Sequence, residues 1–85
     1  MTTTFKFSEP VLAKYCLAFV RRDGQVVRVD PHHPGKVITP VEYSHLYQNG
    51  RYTGQMLVAW DGLGWFWCQP DDVAELRGRS RNEQR

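Results

Sequence analysis

Gln55-Met-Leu-Val-Ala-Trp-Asp-Gly-Leu-Gly-Trp-Phe-Trp-Cys-Gln-Pro70 decides how the rest of this chain is read. It holds all three tryptophans and one of the two cysteines. A β-favouring apolar run leads into Asp61-Gly62, aromatic residues follow, and Pro70 stops them. Asp-Gly between apolar runs signals a hairpin, because both turn residues tolerate positive φ. Strands are therefore expected near 55–60 and 64–68. Side chains alternate across a strand, so the turn length decides which residues share a face. A turn of two or four residues gathers Met56, Val58, Trp60, Trp65 and Trp67 on one side, with Leu57, Ala59, Phe66 and Cys68 on the other. A three-residue turn swaps the partners of one strand. On the first grouping the smaller set suits a thin core. One or two tryptophans then roof that core, or at least one of them is left bare for a partner, since each buried indole N–H needs an acceptor.

Working towards the N-terminus, Thr39-Pro-Val-Glu42 carries a helix start: Thr39 caps, Pro40 suits the first position and Glu42 completes a capping box. Asn49-Gly50 would end that helix. A second hairpin, with Val41, Tyr43, His45 and Tyr47 alternating, competes with it. Lys36-Val-Ile38 reads as a short strand after the rigid loop Asp30-Pro-His-His-Pro-Gly35. Residues 11–30 admit a helix, capped by Ser8 and placing Leu12, Tyr15, Cys16 and Phe19 on one face. They also admit a hairpin of 15–22 with 25–30 around Asp23-Gly24. The second strand, Gln25-Val-Val-Arg-Val-Asp30, favours the hairpin. A two-residue turn would set Val20 against Val27 and Ala18 against Val29, with Cys16 on that side. Residues 1–10 form an extended arm that docks Phe5 and Phe7. Beyond the central hairpin, Pro70 and the acids Asp71 and Asp72 open a short helix with Val73 and Leu76 inward, which Gly78 ends.

These elements make a mainly β chain with one or two short helices (α+β), built as a small bent antiparallel sheet or a small barrel. Gly54-Gln-Met-Leu-Val-Ala-Trp-Asp-Gly62, then Trp65-Phe-Trp67, Pro70, Val73 and Leu76 resemble the end of SH3-like small barrels. That end runs glycine, strand, turn, aromatic strand, proline and a short helical turn. The resemblance covers residues 54–76 and implies a fold. It implies no ligand, because the acidic and proline-packing residues of ligand-binding SH3 domains have no assignable counterparts.

At 85 residues, 41% hydrophobic and 24% charged, the chain is one small globular domain and not a disordered segment. The domain is expected over residues 1–76, with 77–85 a disordered Arg-rich tail. The tail holds four Arg and one Glu, whereas residues 1–76 hold seven basic and eight acidic side chains. The basic character thus sits in the tail and the body is close to neutral, which argues against a basic nucleic-acid face on the fold. No run is long and apolar enough to span a bilayer, the first residues lack a signal-peptide core, and two cysteines are too few for a disulfide scaffold. A cytoplasmic protein is expected.

The remaining candidate chemistry is weak. His32-His33, with His45 and the cysteines, fits no zinc spacing. Cys16 and Cys68 sit in apolar surroundings where a thiol is inert, and Asp71-Asp72 is explained by the helix dipole. No metal, cofactor or catalysis is expected. The reading is a non-enzymatic, accessory or regulatory protein-binding module. Its contacts are Trp60, Trp65 and Trp67, with Tyr52 and Arg51 just upstream, because Trp, Tyr and Arg dominate binding hot spots. The alternative is nucleic-acid binding, in which bases stack on the aromatic face and Arg77, Arg79, Arg81 and Arg85 neutralise phosphates. Self-association through the aromatic face is a third route.

Overall fold

Val11, Ala13, Val37, Met56, Val58, Trp60, Cys68 and Val73 are all buried, and they alternate along five strands so that one face of a sheet carries the core. The computed structural model describes residues 5–46 and 53–75. The strands are β1 (Pro10–Ala13), β2 (Leu17–Val20), β3 (Val26–Val29), β4 (Pro34–Thr39), β5 (Met56–Trp60), β6 (Gly64–Cys68) and β7 (Val73–Glu75). Five of them form a sheet in the order β6-β5-β4-β1-β7, with every neighbour antiparallel; β2 and β3 pair separately as a hairpin. The expected small antiparallel sheet is present, and among the described residues it stays open and does not close into a barrel.

The hairpin reading of residues 11–30 holds and the helical one does not. Ser8 caps nothing: it adopts a φ of 65° and its N–H donates to the Val37 carbonyl at 2.7 Å. The register, however, differs by one residue from the expectation. Leu17 faces Val29, Phe19 faces Val27 and Val20 faces Val26. The cause is a three-residue loop, Arg22-Asp23-Gly24. The Arg21 N–H donates to Gln25 O at 2.7 Å, Gly24 has a φ of 91°, and the Gln25 N–H donates to Asp23 Oδ1 at 3.0 Å. One residue of slip reverses every side chain. Leu17 and Val29 therefore enter the core, while Ala18, Val20 and Val26 face outward and Cys16 is exposed.

Gly35 matters for the core because Trp60 lies across it. A Cβ at Gly35 would stand 2.8 Å from Trp60 Cε3 and 3.0 Å from Val58 Cγ1, so no other residue fits without displacing the indole. Of the arm, Phe5 is buried in this core, whereas Phe7 is exposed and meets the Tyr43 ring at 5.1 Å between centroids.

Both expected helices shrink to 3₁₀ turns. Val41–Leu46 is one, packed against β5, with the Tyr43 N–H donating to Pro40 O and Ser44 Oγ donating to Val41 O. Thr39 ends β4 instead of capping, and Asn49-Gly50 lies outside the described residues. Pro70–Asp72 is the other. The expected continuation through Val73 is instead β7, which pairs with the open edge of β1. A β-branched residue beside an unpaired strand edge outweighs weak helix propensity. Val73 is buried as expected, and Leu76 lies outside the described residues.

Candidate functional site

The turn that joins β5 to β6 is Asp61-Gly62-Leu63, three residues long, and it decides where the tryptophans go. The Leu63 N–H donates to Trp60 O at 2.9 Å, and Gly62 at the third turn position has the positive φ of 75° that such a turn requires. Trp60 then pairs with Gly64, Ala59 with Trp65, Val58 with Phe66 and Leu57 with Trp67. The expected common face of Met56, Val58, Trp60, Trp65 and Trp67 is thus not formed. Met56, Val58 and Trp60 share the inner face with Phe66 and Cys68, while Trp65 and Trp67 share the outer face with Leu57 and Ala59.

The three tryptophans consequently have different environments. Trp60 is 1% exposed and fills the core, so as it stands it offers no surface to a partner. Its Nε1 has no acceptor among the described residues. Trp67 is half-buried, and Trp65 is 64% exposed. Tyr52 and Arg51 lie outside the described residues, as do Arg77, Arg79, Arg81 and Arg85.

Trp65 stands between two hollows. One, of about 670 Å³, is walled by residues 19–23 of the β2 side and 64–67 of β6. The other, of about 570 Å³, lies beside Lys36, Ile38, Ala59 and the 61–63 turn. At the first hollow the hairpin is fastened to β6 by side chains that the sequence did not single out. Phe19 stacks on Phe66 with centroids 4.8 Å apart and 7° between planes. The Arg21 guanidinium sits 6.0 Å from the Phe66 ring centroid, and its Nη2 donates to the Leu63 carbonyl at 2.9 Å. Two readable signals pointed here: each Asp-Gly could be read inside a three-residue loop, and that choice alone sends Phe19 and Phe66 inward together.

Polar contacts elsewhere fasten neighbouring elements to one another. Tyr15 donates to Asp72 Oδ1 at 2.7 Å, tying the entry of the hairpin to the second 3₁₀ turn. That bond, then partial desolvation and the charges of Asp72 and Asp71, raise the Tyr15 pKa. His33 Nε2 lies 2.8 Å from the Asp61 carbonyl, which can only accept, so that nitrogen carries the proton and pins the loop to the turn. Arg28 Nη2 lies 3.6 Å from Cys16 Sγ, and this hydrogen bond is the chief cause of a raised Arg28 pKa. Burial pushes the Cys68 thiol up to about 12, with a smaller contribution from Asp72. Glu9 is buried, with Oε1 accepting from the Lys6 N–H at 2.9 Å. Among the described residues no three His, Cys, Asp or Glu side chains gather to hold a metal ion, and no helix is long and apolar enough to cross a membrane.

Comparison of the chain with known protein families, with curated proteins and with solved structures finds no match.

Proposed function

We propose that this chain is a non-enzymatic, accessory or regulatory protein-binding module of SH3-like architecture that works in the cytoplasm. The observation that carries the binding function is the position of Trp65. A large rigid ring stands 64% exposed on the ridge between two hollows, beside exposed arginines, in a domain whose core is already filled by Trp60. Exposed aromatic area of this kind is where binding energy concentrates. The contact set is narrowed accordingly to Trp65 and Trp67, with Phe19, Arg21 and Phe66 holding the wall opposite, and Trp60 passes from contact to support.

The SH3-like reading draws support from the chain order: a first strand, a long hairpin, three antiparallel strands in sequence, a 3₁₀ turn, then a last strand beside the first. The cytoplasmic setting draws support from two cysteines that stay unpaired, Cys16 exposed and Cys68 buried.

Trp65→Ala tests the function. The variant should keep the wild-type circular dichroism spectrum, and in quantitative affinity capture it should lose the proteins that the wild-type chain retains. Equal retention by the two chains sinks the proposal.

A further inference from the structure

Lys36, Ala59 and Trp65 form a row across the outer face of the sheet. Lys36 stands opposite Ala59, and Ala59 opposite Trp65, so the three side chains leave the sheet on the same side. Neighbouring strands lie about 4.8 Å apart, which sets the Lys36 stem and the indole roughly 10 Å from each other across one methyl group. This dip belongs to the hollow of about 570 Å³, which Asp61 also lines. The Asp61 main chain is fixed there: its N–H donates to Pro34 O at 3.1 Å, and its carbonyl meets His33 Nε2 at 2.8 Å. Lys36 and Asp61 do not pair with each other, and neither has an ion-pair partner among the described residues. The β2–β3 hairpin does not roof this hollow, since none of its residues lines it.

One patch therefore holds a projecting ring beside a hollow, and a cation beside an anion. Trp65 is the ring, 64% exposed. Lys36 and Asp61 are the charged residues of the hollow, which thus carries no net charge. A polyanion, or the basic residues 77–85, would gain at one of these charges and lose at the other. A copy of the same patch satisfies both. In a two-fold contact residue i meets residue j while j meets i, so the patch has to complement itself. With the axis along β5, the row Lys36-Ala59-Trp65 faces the row Trp65-Ala59-Lys36. Each ammonium then lies over the other copy's indole, within reach of that copy's Asp61 carboxylate, and each indole fills the dip at Ala59. An axis across the strands would set Lys36 against Lys36, which like charge disfavours.

We infer that a second copy of this chain docks on the outer face of the sheet, each Trp65 seated in the other's hollow and each Lys36 facing the other's Asp61. This rests on the protein-binding function proposed above and names the partner. One ring and one hollow per copy make a contact smaller than the roughly 1,600 Å² of a standard interface, so a Kd above roughly 1 μM is expected.

Sedimentation equilibrium of the full-length chain between roughly 10 μM and 1 mM tests the pairing. The mass should climb from one chain towards two across that range, and Trp65→Ala should stay a monomer throughout. Lys36→Glu and Asp61→Lys should each weaken the pairing roughly tenfold or more, because each sets like charges together at both contacts. An equimolar mixture of these two variants should pair again, since the mixed pair has a cation against a carboxylate at both contacts. All three variants should keep the wild-type circular dichroism spectrum. A wild-type chain that stays a monomer at the top of the range overturns the pairing, and so does a mixture no heavier than its two components. Association that survives Trp65→Ala would put the contact elsewhere and overturn it too. A monomeric wild type whose captured proteins still depend on Trp65 would remove the second copy and leave the protein-binding function standing. That function fails separately, when Trp65→Ala retains every captured protein.

Discussion

Trp60 and Trp65 lie five residues apart, and replacing each by alanine should cost very different amounts of stability. Trp60 is 1% exposed and spans Gly35. Truncating a fully buried large aromatic costs about 3–5 kcal/mol. A chain of this length has only about 4–13 kcal/mol in all, so Trp60→Ala removes roughly a quarter of it or more and leaves a marginal fold. Trp65 is 64% exposed. The covered part of its ring is at most roughly 70–90 Å², which at 25 cal/mol per Å² is a ceiling of about 2 kcal/mol. Alanine keeps some of that contact and the unfolded chain already buries some, so about 1 kcal/mol is expected. Trp60→Phe separates volume from polarity. It shrinks the ring but removes the Nε1–H that has no acceptor among the described residues, and relief of such an orphan is worth about 1–3 kcal/mol. The phenylalanine variant should therefore lie within about 1 kcal/mol of wild type. Urea denaturation followed by far-UV circular dichroism, with the slope unchanged, gives all three values. If Trp60→Ala cost no more than Trp65→Ala, the three-residue turn and the face assignment built on it would be wrong. If Trp60→Phe cost as much as Trp60→Ala, the indole N–H would have a partner.

Three further outcomes follow from the titratable groups. An aromatic disulfide reagent should modify exposed Cys16 at once and Cys68 only on unfolding, a difference in rate of at least roughly a hundredfold, read by mass spectrometry. The folded Cys68 pKa is raised from 9.0 to about 12, so its contribution to stability is complete below pH 9 and is lost as pH climbs from 9 towards 12. Cys68→Ala should flatten that alkaline fall in the urea midpoint. The folded Tyr15 pKa is likewise raised above 10.0, mainly by its hydrogen bond to Asp72. That contribution is present below pH 10 and disappears as pH rises through the folded value. In an ultraviolet tyrosinate titration, Tyr15→Phe should remove a component that ionises above pH 10, and an unchanged profile would mean that the Asp72 bond does not persist in solution.

Most of the strands were readable from residues alone, because Asp23-Gly24 and Asp61-Gly62 mark turns and alternating apolar runs flank them. Which side chains share a face was not readable, and for one reason in both hairpins. Asp-Gly serves a two-residue turn and also a three-residue loop in which the glycine alone takes positive φ, at 91° for Gly24 and 75° for Gly62. The dipeptide is the same, and the register differs by one. That single residue moved Cys16 and Val20 outward and brought Phe19 in; it also separated Trp60 from Trp65 and Trp67. The C-terminal helix failed for a different reason. Pro70, Asp71 and Asp72 do start a helical turn, but the free edge of β1 claims Val73, and nothing local to residues 69–76 reports a strand edge sixty residues away in sequence.

The separation of the tryptophans also changes what β6 is. Had all three lain together, Gly64-Trp-Phe-Trp-Cys68 would be an aromatic face, and its edge would be incidental. With Trp60 and Phe66 turned inward and Trp65 and Trp67 outward, the aromatic area is divided between the two faces. Small proteins usually blunt an outer strand with a lysine, a proline or an inward charge, or they keep it very short. β7, at the opposite edge, is three residues long and carries Glu75. β6 is five residues long and carries no charge and no proline. Its guard is the β2–β3 hairpin, fastened through Phe19, Arg21 and Phe66, and that guard leaves a groove of about 670 Å³ instead of covering the strand. Held beside β6 by a ring stack and one arginine, it leaves Trp65 exposed at the side of that groove.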